Sequence, residues 1–285
     1  MSAAFRLNNI ASLFSEGVET GVEQTPAALR SAREQAFGEN IFARARRILR
    51  AAAAMARPRR LVGAPAYLEI LARDRAVGAA ALPDPAAALS RPEGYCGAAA
   101  DLAPTTLVQA YAQGLHARAP VGPATWWAPP ARRIRPILPV AGLAPPARFD
   151  QDCTGIIARA CDAAAARDPV EAATPALKHA HARLADRGFV HCWRTGPDCG
   201  GYGVAVGRVF ILIGVFAPSG AAAQESLAAL EAELGRRRFS LLDVTFCLSA
   251  FDDLSTLEMS RAEYGRMLDV NPDGDRAARW RPDAG

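Results

Sequence analysis

What the chain lacks narrows its class first. Its six cysteines, Cys96, Cys153, Cys161, Cys192, Cys199 and Cys247, form no C-x-x-C pair and no zinc-like spacing with the four histidines. At 285 residues the chain can bury a core of its own and needs no disulfide staples, so these read as reduced thiols and no metal site is expected. The start, MSAAFRLNNIASLFSEGVE, lacks the basic beginning and unbroken apolar run of a secretory signal, which predicts a cytoplasmic protein. Long hydrophobic runs are missing too: the longest, Gly200 to Gln224, is interrupted by Arg208 and rich in glycine, so no membrane partner is expected. No Q/R-x-x-G-x-G/A turn follows a strand, which leaves a CoA pyrophosphate without its backbone cradle and makes an acyl-CoA-dependent acetyltransferase the least favoured class. No cofactor is predicted.

The positive features begin with charge. The formal net charge of +4 is carried almost wholly by arginine, and hydrophobic and charged residues stand at an ordinary globular 51% and 22%. Residues 1 to about 80 are helical in composition and basic: Arg30, Arg33, Arg44, Arg46, Arg47, Arg50, Arg57, Arg59 and Arg60 face only Glu34 and Glu39 within residues 30–60. Such a helix either lies along nucleic-acid phosphates or is a solvated face. Pro58, Gly63, Pro65 and Pro83 break the pattern and suggest a linker.

From Leu82 onward the texture changes. DLAPTTLVQAYAQG places Leu107, Ala110 and Tyr111 on one helical face and ends at Gly114. TWWAPPARRIRPILPV cannot be helical, because its prolines remove donors and clash with the preceding turn. CTGIIARACDAAAARD and TPALKHAHARLADRG predict two helices, the second stopping at Gly188. Strands FVHCWRT, YGVAV and VFILIGVF follow, the last two joined at Gly207-Arg208 as a hairpin. A helix with Leu227, Leu230 and Leu234 and a closing strand FSLLDVTF come next, and SRAEYGRML opens with a capping box of Ser260 and Glu263. This alternation predicts a mixed α/β (α+β) domain of about 200 residues around a single core. His191 and Cys192 are strand neighbours and point to opposite faces, so they form no nucleophile pair. His179 and His181, two apart on a helix, share no face for a metal.

In order, AAADLAPTTLVQAYAQG, WWAPPAR (Trp126 to Arg132), VHC (190 to 192), CGGYGVAVGRVF, LLDVT and EMSR match the successive motifs of one family. Over residues 82 to 268 the chain resembles the leucyl/phenylalanyl-tRNA-protein transferases, which move an amino acid from aminoacyl-tRNA to the amino terminus of a protein. The resemblance implies an acetyltransferase-like mixed sheet flanked by helices. With the basic composition of the start, this gives a basic helical extension (1–80), a small subdomain of the family type (81–140), a catalytic-type domain (141–270) and a tail (271–285). It implies that Asp243 takes the place of the aspartate beside the proposed catalytic glutamine, itself replaced by Thr245. Trp126 and Trp127 fall at the wall near the terminal adenosine. Phe210, Leu227 and Leu242 fall in the pocket for a Leu or Phe side chain, with Ile213 and Val215 beside them. A pocket between Phe210, Leu227 and Asp243 is expected, unless Ile213 and Val215 fill it.

Against that pattern the stretch VFILIGVFAPSGAAAQ is bare. The glutamate that would hold the substrate's α-amino group is Ile213, the family's N-A-S-K reads AAAQ, and its T-W-I segment appears as EAATP. Asp243, on an apolar strand, reads either as a surviving polar anchor or as a structural hydrogen-bonding group. The Trp126-Trp127 pair reads either as a nucleobase stack or as loop packing. The resemblance implies aminoacyl-tRNA and an acceptor amino terminus as partners; the basic amino-terminal segment, through Arg44, Arg46, Arg47 and Arg50, is the expected tRNA contact, and a monomer is expected. The alternative is a catalytically silent module that binds tRNA or a protein amino terminus.

Overall fold

The computed structural model describes residues 27–61, 82–138 and 146–269, with a few positions between 64 and 72. The tail at 271–285 and most of the expected linker lie outside these residues.

Two helices form the amino-terminal part, α1 (Ala27–Phe37) and α2 (Ile41–Met55), with a helical turn at Pro58–Leu61. Asn40 caps α2, its side chain accepting from the Ala43 amide at 2.8 Å. Both helices are fastened to the body of the protein. Arg33, 6% exposed, donates to both carboxylate oxygens of Asp186 at 2.8 and 2.6 Å, and Phe37 meets the His179 ring edge-on at 5.0 Å. Helix α2, with Ala51 and Ala54 buried, lies against the 3₁₀ turn Pro169–Glu171.

Beyond them come β1 (Tyr95–Ala98), α3 (Pro104–Ala112), β2 (His116–Arg118) and β3 (Thr125–Trp127). Helix α3 ends where Gly114 takes φ +78°, a left-handed turn that glycine adopts without Cβ strain. The three strands make a small antiparallel sheet in the order β1-β3-β2, with Trp127 paired to Tyr95 on one side and His116 on the other.

The remaining elements are β4 (Ala131–Pro136), β5 (Arg148–Phe149), α4 (Cys153–Arg167), α5 (Pro175–Asp186), β6 (Val190–Arg194), β7 (Gly200–Val206), β8 (Val209–Phe216), α6 (Gly220–Arg236), β9 (Leu241–Asp243), β10 (Leu257–Ser260) and α7 (Arg261–Asp269). They build a seven-stranded sheet in the order β10-β4-β9-β8-β7-β6-β5. Neighbours are antiparallel except β8 and β9, whose parallel pairing is made possible by the α6 crossover between them. Strand β4 therefore joins the large sheet although it lies within 81–140. FSLLDVTF supplies a strand as read, β9, which lies in the interior of the sheet, with β10 and β5 at the edges among the described residues. The capping box forms as predicted, with the Ser260 amide donating to Glu263 at 3.0 Å and the Glu263 amide donating to Ser260 Oγ at 3.3 Å.

The sheet divides the core in two, where the composition suggested one. Against α6 lie Trp193, Phe210, Leu212, Val215 and Leu242, packed on Leu227, Leu230 and Leu234. The other face carries Val190, Cys192, Tyr202, Val204, Val209 and Ile211 against α3, α4 and α5, and runs on into the small sheet through Trp126 and Ala117. Strand β8 is covered on both faces, which explains its lack of polar side chains. Gly203 is required where β7 crosses it: a Cβ there would collide with the Phe210 ring and the Ile211 carbonyl oxygen.

Candidate functional site

The strand alternation of β8 is interrupted once. Tyr202 pairs with Gly214 and Gly203 with Leu212, so Ile213 is the extra residue of a β-bulge. The bulge turns Ile213 and Gly214 together toward α4, away from α6. A cavity of about 50 Å³ opens there, lined by Ile213 and Gly214, by Ala160 and Cys161 of α4, by Glu171–Ala173, by His116–Ala119 and by Phe246. That is room for about three waters, or for the reacting atoms of a larger ligand.

Two side chains on its wall carry charge. Arg118 is held with its guanidinium 5.5 Å from the Trp127 ring centre and 5.4 Å from that of Phe246, in cation-π contact with both. Glu171 faces it at 3.8 Å, the two side chains being 24% and 19% exposed. Burial pushes the Glu171 carboxyl up, and the Arg118 charge opposes that rise. The reverse holds for Arg118, lowered by burial and supported by Glu171.

Burial disfavours the charged form of the two histidines at the cavity, His116 and His181. The His116 ring stacks on Phe246 at 3.7 Å and 8°; burial, reinforced by Arg118 and Arg132, drives its pKa well below the ordinary value. Its buried Nδ1 has no hydrogen-bond partner among the described residues. His181 lies between two phenols, Nε2 2.9 Å from Tyr111 Oη and Nδ1 3.2 Å from Tyr202 Oη, and burial lowers its pKa to about 4. This chain continues from Tyr202 Oη to Cys161 Sγ at 3.4 Å.

The residues singled out in the sequence separate into groups. Phe210, Leu227, Leu242 and Val215, none more than 1% exposed, are packed core on the α6 face and do not line this cavity. Asp243 pairs in register with Ile211, not Phe210, and so faces the opposite way from Leu242. The expected pocket between Phe210, Leu227 and Asp243 is therefore absent: two of its walls lie on one side of the sheet and the third on the other. Ile213 does not fill it, because the bulge places that side chain in the cavity on the α4 side.

Asp243 is wholly buried and makes a structural ion pair. Its Oδ2 lies 3.4 Å from Arg132 Nη1, and Oδ1 accepts from the Thr245 amide at 2.9 Å and from Thr245 Oγ1 at 2.5 Å. Arg132 also donates to the Gly114 carbonyl and lies over the Phe246 and Tyr264 rings. Thr245 in turn accepts from the Arg133 amide at 2.8 Å. Neither Asp243 nor Thr245 lines the cavity; together they set the turn that delivers Phe246 to it. Trp126, at 1% exposed, has no face free to stack a base, whereas Trp127 is half-buried, donates to Thr125 Oγ1 at 2.9 Å and braces Arg118.

Of the basic residues on α2, Arg44, Arg46 and Arg50 are exposed. Arg47 is not free for phosphate: it donates to both Glu39 oxygens at 2.8 and 2.9 Å and to the Pro120 carbonyl at 2.5 Å. His116, Arg118 and Glu171 were not singled out by the sequence. The signal that could have found Glu171 was its place at the start of EAATP; for His116 and Arg118 it was their position just beyond the helix stop at Gly114.

The family model described as leucyl/phenylalanyl-tRNA protein transferase matches residues 144–269. Among similar proteins, a leucyl/phenylalanyl-tRNA–protein transferase of Rhizorhabdus wittichii is 32% identical over 185 residues, covering 59% of this chain and 74% of its own. Namesakes from Pseudomonas putida and Pseudomonas entomophila are 31% and 32% identical over 212 residues, covering 68% of this chain and 92% of theirs. At that identity over nearly the whole of its relatives, and with a mixed sheet of the expected kind beneath it, this chain belongs to the leucyl/phenylalanyl-tRNA protein transferase family.

Proposed function

We propose that the chain transfers an amino acid from aminoacyl-tRNA to the amino terminus of an acceptor protein, at the cavity between β8, α4 and Phe246, with an amino-acid choice different from that of its relatives. One observation carries this reading. The cavity is walled by Ile213, by the start of EAATP and by the residue after Thr245, the segments in which the resemblance implies the reacting groups. Aminolysis of an activated ester needs little acid-base assistance, so positioning can supply much of the rate even with threonine in place of glutamine. The altered choice is supported by the α6 side of the sheet, where Phe210, Leu227 and Leu242, the positions in which the resemblance implies the Leu or Phe pocket, are packed against one another as core. Arg44, Arg46 and Arg50 supply an exposed basic face for the tRNA.

That same packing supports a second reading, a silent module that keeps the fold for binding. Transfer of labelled amino acids from a mixed charged-tRNA pool to a set of acceptor peptides separates the two. Transfer that exceeds a Trp127→Ala control supports the enzyme; tRNA binding with no transfer of any amino acid supports the binding module.

A further inference from the structure

Arg118 and Glu171 are the two charged groups on the cavity wall, and each is left with unused capacity. The guanidinium is braced by the Trp127 and Phe246 rings and makes no hydrogen bond to a described residue. Its nearest carboxylate oxygen is 3.8 Å away, too far for a hydrogen bond. Among the described residues the other Glu171 oxygen accepts only from Ser249 Oγ, at 3.4 Å. A largely buried cation and anion held in sight of each other without bonding are an incomplete pair, completed by a ligand offering an acceptor and a cationic donor side by side. An α-aminoacyl group does this: its ammonium and its carbonyl oxygen sit on adjacent carbons. Phosphate or a free carboxylate would satisfy Arg118 and be repelled by Glu171.

We infer that Glu171 binds the α-ammonium of the aminoacyl group and Arg118 its ester carbonyl oxygen, so that this pair replaces the missing carboxylate at Ile213. The assignment rests on the transferase reading above. In the transfer step the acceptor's amine nitrogen bonds to the carbonyl carbon and the bond from that carbon to the ribose oxygen breaks. The proton lost by the nitrogen passes to the ribose oxygen. Between the two events the carbonyl oxygen carries a negative charge, and the donors of Arg118 are where that charge forms.

The acceptor's terminal residue carries the same two groups, so the test uses both sources. Three probes are titrated into the full chain: a 3′-aminoacylamido-3′-deoxyadenosine, the same compound without its α-amine, and a dipeptide amide. The expected result is at least tenfold tighter binding of the aminated adenosine over the deaminated one, a preference abolished in Glu171→Gln. Arg118→Met keeps the packing between the rings; combined with Glu171→Gln it leaves no lone buried charge, and this pair variant is expected to show the same loss of preference. Wild type that binds both adenosines equally overturns the pair while leaving the transferase reading standing. Binding that depends on Glu171 for the dipeptide amide but for neither adenosine assigns the pair to the acceptor and overturns the inference. Wild type that binds none of the three overturns the transferase reading and the inference with it.

Discussion

Replacing Asp243 with alanine tests whether this carboxylate is part of the framework. In the folded chain it is the counter-charge of Arg132, and both side chains are at most 2% exposed. Deleting it leaves a guanidinium inside the protein with the Gly114 carbonyl as its remaining polar contact, and frees the amide and hydroxyl of Thr245. Breaking a buried pair from one side costs roughly 3–5 kcal/mol, and the lost Thr245 bonds add about 1 kcal/mol. With a urea m-value of about 3 kcal/mol/M, the unfolding midpoint falls by roughly 1–2 M. The companion variant Arg132→Met with Asp243→Leu removes both charges and recovers most of the loss, because an apolar pair of similar volume carries no desolvation penalty. The measurement is urea denaturation of the three chains followed by tryptophan fluorescence. A single variant within about 1 kcal/mol of wild type, or a double variant as unstable as the single one, refutes the structural assignment.

Acid should destabilise the protein through His181. Its folded pKa of about 4 lies below the usual 6.5, so the unfolded chain takes up the proton first. The stability it contributes is present above pH 6.5 and drains away as pH falls toward 4, by about 3 kcal/mol in all; His181→Gln should flatten that part of an unfolding-midpoint profile. Arg33→Ala removes the fastening of α1 to Asp186, and amide hydrogen exchange across residues 27–37 should accelerate at least tenfold while β7 and β8 stay protected. If α2 carries the tRNA, replacing Arg44, Arg46 and Arg50 with alanine should make the slope of log K against log salt shallower by roughly 2–3. The companion Arg47→Ala should instead lower the melting temperature, since its guanidinium ties Glu39 to Pro120.

Local patterns in the sequence carried the elements well. The hairpin turn at Gly207-Arg208, the helix stops at Gly114 and Gly188 and the Ser260–Glu263 box are each decided by neighbours in the chain, and each appears as read. The order of strands was not legible, because the interior position of β9 depends on β4 arriving from 100 residues earlier. The spatial grouping of the site residues was not legible for a similar reason. Asp243 and Leu242 are adjacent in the chain and lie on opposite faces, and the partner of Asp243 is Arg132, visible in the sequence only as the end of WWAPPAR. Glu171 and Arg118 are 3.8 Å apart in space and more than fifty positions apart in sequence, and neither belongs to a periodic pattern that would single it out.

The irregularity at Ile213 has an effect beyond the side chain it aims. Up to Leu212, even-numbered positions of β8 turn toward α6; after the added residue the odd-numbered Val215 does so, and Phe216 returns to the α4 side beneath Arg159. The strand thus changes phase midway. Removing that one residue would exchange the surroundings of Val215 and Phe216 and close the wall where Gly214 now lets Tyr202 and Ala160 approach, so the length of this strand matters to the chemistry as much as its composition does.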